Sequence, residues 1–243
     1  MLGEFNPIIR KLNNMVELTT EELAAVAAIP VEVVNYTRHQ DIVRQGDAPT
    51  RSFAVLEGFT STYKITGRRR RQICAVHIPG DMPDVQSLHL PVLDISIAAL
   101  SNCRLAMISH EALHRLSRKH PRVGDALWRG TLIDAAIGRE WLTSMGQRTA
   151  VVRIAHFFCE FLTRMSSVGL AQEFSCEVPL TQALFGETLG MSAVHINRGL
   201  QELRARNLIR FEDNVLRALN WEGLKSAGDF DSTYLHLMPA PLR

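Results

Sequence analysis

No apolar stretch in this 243-residue chain approaches the roughly 20 uncharged residues that cross a bilayer. The opening residues, Met1-Leu2-Gly3-Glu4-Phe5, lack a basic segment leading into an apolar one, so secretion is not expected and a cytoplasmic setting is. Cysteine is sparse: Cys74, Cys103, Cys159 and Cys176 are scattered, with no close metal-ligand spacing, and they read as buried, inert thiols. Neither sign of charge dominates. With 27 Lys and Arg against 25 Asp and Glu the net charge is +2, too small for the whole chain to imply a nucleic-acid partner. Internal repeats and low-complexity segments are also lacking. What remains, 46% hydrophobic and 21% charged, is the composition of one large or two ordinary globular domains.

Pro7 to Met15 is predicted as a short amphipathic helix, and Thr19-Thr20-Glu21-Glu22 as a capping box that opens another. Between Val31 and about Ile108 the pattern changes to short β-branched or alternating runs, Val31–Tyr36, Ser52–Leu56, Thr60–Ile65 and Ile73–Ile78. Gly46-Asp47, Glu57-Gly58, Thr66-Gly67 and Pro79-Gly80-Asp81 punctuate them, which predicts an antiparallel sandwich or small barrel.

From Pro121 to about Ser144 the periodicity is helical, with two apolar stripes. Val123, Ala126, Gly130, Ile133, Ile137 and Trp141 form one, and Trp128, Leu132 and Leu142 the other. Two apolar faces need two neighbours, so the second face is a candidate seam for a homodimer. Ser144-Met145-Gly146-Gln147 reads as a hinge before a helix over about Thr149 to Met165, with Ile154, Phe157, Phe158 and Phe161 inward.

The segment from Pro179 to Arg204 has the spacing of a helix-turn-helix. Gly186 supplies the small residue where two helices cross, and Gly190, four positions on, tolerates the positive φ of the turn. Ser192 suits the N-cap of the second helix, whose amide end can face phosphate. Phe185, Leu189, Ile196, Leu200 and Leu203 make the contact between the helices. This leaves Val194, Arg198 and Gln201 outward, flanked by His195 and Asn197. An exposed arginine one turn into such a helix can make a bidentate contact to guanine, and Val194 can meet a thymine methyl. Five arginines against three acids between Ser192 and Arg217 make the surface mildly basic. Leu208–Phe211 and Val215–Ala218, either side of Glu212-Asp213-Asn214, are predicted as a hairpin wing.

The order of sandwich, long helix, hinge and winged helix, together with LTQALFGETLGMSAVHINRGLQELRARNLI, resembles the Crp-Fnr family of bacterial transcription regulators over nearly the whole chain. The resemblance implies an α+β fold. It consists of an N-terminal cyclic-nucleotide-binding-like antiparallel β-barrel (a double-stranded β-helix), a long dimerisation helix and a C-terminal winged helix-turn-helix. The corresponding boundaries are 1–120, 121–145 and 146–243. It further implies a homodimer on a two-fold-related double-stranded DNA operator, with RNA polymerase as a partner. The family's base-contacting positions fall on Ala193, Val194 and Arg198, with Ser192 and His195 near phosphate. Together with Thr181, Gln182, Asn197 and Gln201 these are the candidate DNA-binding residues. Only Arg198 of the family's common Arg/Glu/Arg trio is kept, which implies a different half-site.

Members that bind cyclic nucleotides carry Gly-Glu followed by an Arg-Ser or Arg-Thr pair that holds the cyclic phosphate. The matching stretch here supplies Gly80, Asp81, Asp94 and Ser96 as effector-pocket candidates, but Leu93 and Asp94 stand where the arginine should be. An acid in that place repels a phosphate, so the sensor is expected to be degenerate and its effector unknown. No cysteine precedes Cys74, so the N-terminal cluster ligands of the iron–sulfur members are missing. His77 and His89 are available as haem ligands, but a lone histidine is more often structural. No cofactor and no metal is expected.

Two other motifs compete for a function. His110-Glu111-Ala112-Leu113-His114, with His120 beyond, matches the HExxH of zinc proteases. However, Ser117 replaces the glycine that lets the third histidine reach the metal, and Ser109 caps the helix so that His110 sits in its first turn. A zinc hydrolase is therefore the rival reading, and a module whose winged helix contacts protein is another. Arg68-Arg69-Arg70-Arg71, beside Gly67, reads as a solvated hairpin tip or as a contact with polymerase or nucleic-acid phosphate.

Overall fold

The computed structural model describes residues 6–67 and 70–237; Arg68 and Arg69 of the arginine run lie outside the described residues. Two helices, α1 (Asn6–Asn13) and α2 (Thr20–Ala27), come first. The predicted capping box at α2 is present: the Glu22 amide donates to the Thr19 hydroxyl at 3.2 Å, and the Thr19 amide donates to the Glu22 carboxylate at 2.7 Å.

The strands that follow are β1 (Glu32–Tyr36), β2 (Asp41–Val43), β3 (Arg51–Glu57), β4 (Thr60–Ile65), β5 (Arg71–His77), β6 (Ser96–Ala99) and β7 (Cys103–Ser109). They form two antiparallel sheets with strand orders β1-β7-β3 and β2-β6-β4-β5. The four runs read from sequence fall on β1, β3, β4 and β5, with ends displaced by at most two residues. From Phe53 to Leu56 β3 is apolar because both of its faces are covered there. Phe53 and Val55 pack with Leu93, Ile97, Ala99 and Leu105, whereas Ala54 and Leu56 join Ile8, Leu12, Val85, Val123 and Ala126.

After β7 come α3 (His110–Lys119), α4 (Pro121–Gln147), α5 (Ala150–Ser167), β8 (Ser175–Glu177), α6 (Gln182–Leu189), α7 (Ala193–Ala205), β9 (Ile209–Glu212), β10 (Val215–Ala218) and α8 (Trp221–Ala227). Two compact units result. Among the described residues the first comprises 6–63, 76–135 and 236–237, and the second 64–67, 70–75 and 136–235. Among the described residues no helix is long and apolar enough to cross a membrane.

In α4 the two stripes separate as their periodicity predicts. Val123, Ala126, Ile133, Ile137 and Trp141 are buried, while Trp128, Leu132 and Leu142 are 60%, 51% and 70% exposed. In the second unit Phe157, Phe158 and Phe161 of α5 meet Phe185 of α6 and Phe211 of β9 in an aromatic core. Beside it lies a buried polar network. The Trp141 indole and the Tyr234 hydroxyl donate to Glu160 at 3.0 and 2.9 Å, and Arg164 pairs with the same carboxylate at 3.3 Å. The three-stranded sheet β8-β10-β9 completes this unit.

Candidate nucleic-acid interface

Local chemistry sets each boundary of the α6–turn–α7 unit. Thr181 caps α6, its hydroxyl accepting the Leu184 amide, and Ser192 caps α7, accepting the amide of His195. Between them Gly190 adopts the left-handed conformation at φ 63°, ψ 38°. A Cβ at Gly186 would stand 2.8 Å from the Met191 carbonyl oxygen, so the close passage expected there does require glycine. Gly199 was not singled out by sequence, yet a Cβ on it would reach 2.5 Å from Ile154 Cδ1 of α5. Its place on the buried stripe of α7 was the available signal.

Ile196, Gly199, Leu200 and Leu203 bury one side of α7, whereas Val194, Arg198 and Gln201 are exposed, Val194 to 72%. At about 100° per residue these three lie along one outward stripe. His195 lies about a quarter-turn to one flank and Asn197 to the other. Ala193, Thr181 and Gln182 are exposed near the two helix starts, and the Ser192 hydroxyl also bonds His195 Nδ1 at 3.0 Å.

The wing is the predicted hairpin. Asp213 and Asn214 at φ 50° and 61° form the kind of two-residue turn whose twist matches antiparallel strands. Of the five arginines between 192 and 217, Arg204 donates to the Phe211 carbonyl at 2.6 Å and ties the wing to α7. Arg206 and Arg217 face Glu202 and Glu173 at 3.7 and 3.6 Å. Among the described residues, Arg198 and Arg210 are therefore the exposed guanidiniums of this surface that neither an ion pair nor a carbonyl holds. The surface can present a hydrogen-bonding stripe of the width of a helix to a groove and positive charge to its walls.

The four effector-pocket candidates are held by separate partners. Asp81 accepts the Ile78 amide at 2.9 Å and pairs with Lys11 of α1 at 2.7 Å, with both side chains largely buried. Gly80, at φ 96°, has the Pro7 carbonyl oxygen 2.6 Å from where a Cβ would be. Ser96 accepts the Gln45 amide at 3.0 Å, and Asp94 is exposed. Leu93, where a phosphate-binding arginine would be expected, is sunk in the apolar core between the sheets.

Nearby, Asp84 is fully buried. One carboxyl oxygen accepts the Phe53 amide at 3.0 Å and the other has no partner, so burial raises its pKa to about 7.

The HExxH residues take structural places. His110 is the first residue of α3 and bonds the Ser87 hydroxyl at 2.9 Å, His114 packs edge-on against His89, and His120 is buried at the C-cap. His77 bonds Thr62 at 2.8 Å. Among the described residues no three His, Cys, Asp or Glu side chains are grouped to hold a metal ion.

Residues 33–120 match the model of the cyclic nucleotide-binding domain, and residues 152–227 match the Crp-like helix-turn-helix domain. The chain belongs to the Crp-Fnr family. This Crp-Fnr protein is 25% identical over 186 residues to the transcriptional activator protein FnrA of Stutzerimonas stutzeri, covering 76% of this chain and 75% of that one. It is 23% identical to the nitrogen fixation regulation protein FixK of Azorhizobium caulinodans over 76% of this chain and 73% of the relative. Among solved structures, FixK2 from Bradyrhizobium japonicum superposes with a TM-score of 0.74 at 21% identity, covering 82% of this chain and 98% of that one. The chain is thus a Crp-Fnr transcription regulator with a cyclic nucleotide-binding-type domain and a DNA-binding helix-turn-helix.

Proposed function

We propose that this regulator binds a specific two-fold-related operator as a homodimer, reading each half-site with α7. The observation that carries the reading is the exposed stripe Val194–Arg198–Gln201 on a helix whose opposite side is buried. Arg198 donates to guanine, Val194 meets a thymine methyl, and Ala193, Asn197 and Gln201 border the same bases. Thr181, Gln182, Ser192 and His195 stand at the phosphates, where helix amide ends favour anions.

The dimer is supported by α4. Trp128, Leu132, Ala135, Arg139, Leu142 and Gly146 are all exposed and recur at alternating spacings of four and three, the repeat of a two-helix seam. In this reading residues 1–120 form the sensor, 121–145 the dimerisation helix and 146–243 the DNA-binding domain, working in the cytoplasm with RNA polymerase as partner. The sensor takes no cyclic nucleotide, because Leu93 and Asp94 replace the phosphate's counter-charge and Asp81 is already paired with Lys11. Its effector, if the barrel takes one, belongs to another chemical class.

Selection from random duplexes tests the reading. An enriched two-fold-related motif is expected, and R198A should bind it more weakly by roughly 1–3 kcal/mol while losing preference at one base pair. Equal binding by wild type and R198A would remove Arg198 from the interface.

A further inference from the structure

The first helix of the helix-turn-helix ends on carbonyl groups that no residue of its own continues to bond, the usual condition of a helix C-terminus. In α6 the last three of these are taken by side chains from elsewhere. Gln72 Nε2 donates to the carbonyls of Glu187 and Thr188 at 2.7 and 3.4 Å. Arg153 of α5 donates through Nη1 to the Leu189 carbonyl at 2.7 Å. The same guanidinium turns its Nη2 to the carbonyls of Met145, in the last turn of α4, and Arg148, just beyond it, at 2.8 and 3.1 Å. Its Nε is buried without a partner. One planar cation therefore closes the negative ends of two helices at once, a task that suits the fixed fork of arginine and not the point charge of lysine. The next residue after Leu189 is the left-handed Gly190, with Met145 Sδ 3.5 Å from its notional Cβ, and α7 begins three residues later.

We infer that Arg153 is a positioning residue for base recognition: by tying the end of α6 to the end of α4 it fixes the angle at which α7 is presented. The inference rests on the DNA reading proposed above. Arg153 makes no base contact in this account. A looser α7 keeps its positive charge beside phosphate but no longer holds Arg198 in register with a base edge. Non-specific affinity depends on the charges and specific affinity on the register, so the two should separate.

The test measures dissociation constants of full-length wild type, R153M and R153K for the duplex selected by wild type and for a random duplex of equal length at one salt concentration. For R153M the ratio of specific to non-specific affinity should fall at least about tenfold, with random-duplex affinity within about twofold of wild type. R153K keeps the charge and can serve fewer of the three carbonyls, so its ratio should lie between the others, and it provides the measurement if R153M does not fold. A variant that is merely less folded loses active protein equally for both duplexes and leaves the ratio unchanged. An unchanged ratio in both variants would overturn the inference. Wild type that enriches no duplex would overturn the DNA reading and this inference with it, and that failure appears before any variant is made.

Discussion

Replacing Asp84 with asparagine should flatten the pH dependence of folding between pH 5 and pH 8. The carboxyl is fully buried, accepts one amide, and has a second oxygen with no partner. Burial raises its pKa from 3.8 to about 7, so the folded chain holds a proton there that the unfolded chain has released. Between those two values folding takes up a proton, and stability falls as pH rises. The full effect, at about 1.4 kcal/mol per unit, is on the order of 4 kcal/mol, and the part lost between pH 5 and pH 8 is about 3 kcal/mol. Above pH 7 both states are ionised and the slope vanishes. The asparagine side chain could still accept the Phe53 amide but would place an unpaired NH2 where the free oxygen was, costing about 1–3 kcal/mol at every pH. The D84N variant is therefore expected to be less stable than wild type at pH 5 and equal or better at pH 8. Urea unfolding followed by circular dichroism at four pH values measures the difference. A wild-type-minus-variant stability that stays constant from pH 5 to pH 8 would refute the assignment of the buried proton to Asp84.

L132E puts a carboxylate on the exposed stripe of α4 and should shift the protein to monomer in sedimentation equilibrium, with unchanged circular dichroism. G186A forces a Cβ against the Met191 carbonyl; it should lower the stability of the second unit by roughly 1–3 kcal/mol and weaken DNA binding in step. In a native thiol titration only the exposed Cys74 should react promptly. Burial pushes the pKa of Cys159 and Cys176 up to about 12 and raises that of the buried Cys103, so these three should react only in denaturant.

The helix-turn-helix was legible because its determinants are local. A crossing glycine, a left-handed glycine and a capping serine lie within seven residues, Gly186 to Ser192, and each acts on its own turn. The stripes of α4 were legible for the same reason, since periodicity reports faces. It does not report helix ends. Arg153 and Gln72 each give a donor to an α6 carbonyl distant in sequence, and nothing in the spacing of either residue foretells it. β2 and β8 have three residues each, too few to show alternation, and were not singled out. Asp81 looked available for a ligand because its partner, Lys11, lies 70 positions earlier.

That pair has a consequence for how the barrel can acquire a ligand at all. Lys11 is carried on the same chain as Asp81, so it competes at an effective concentration that dilution cannot lower. Any hydroxyl-bearing molecule seeking this carboxylate must displace a tethered ammonium and lift α1, whose Ile8 and Leu12 are buried with it. The first helix acts as a resident competitor.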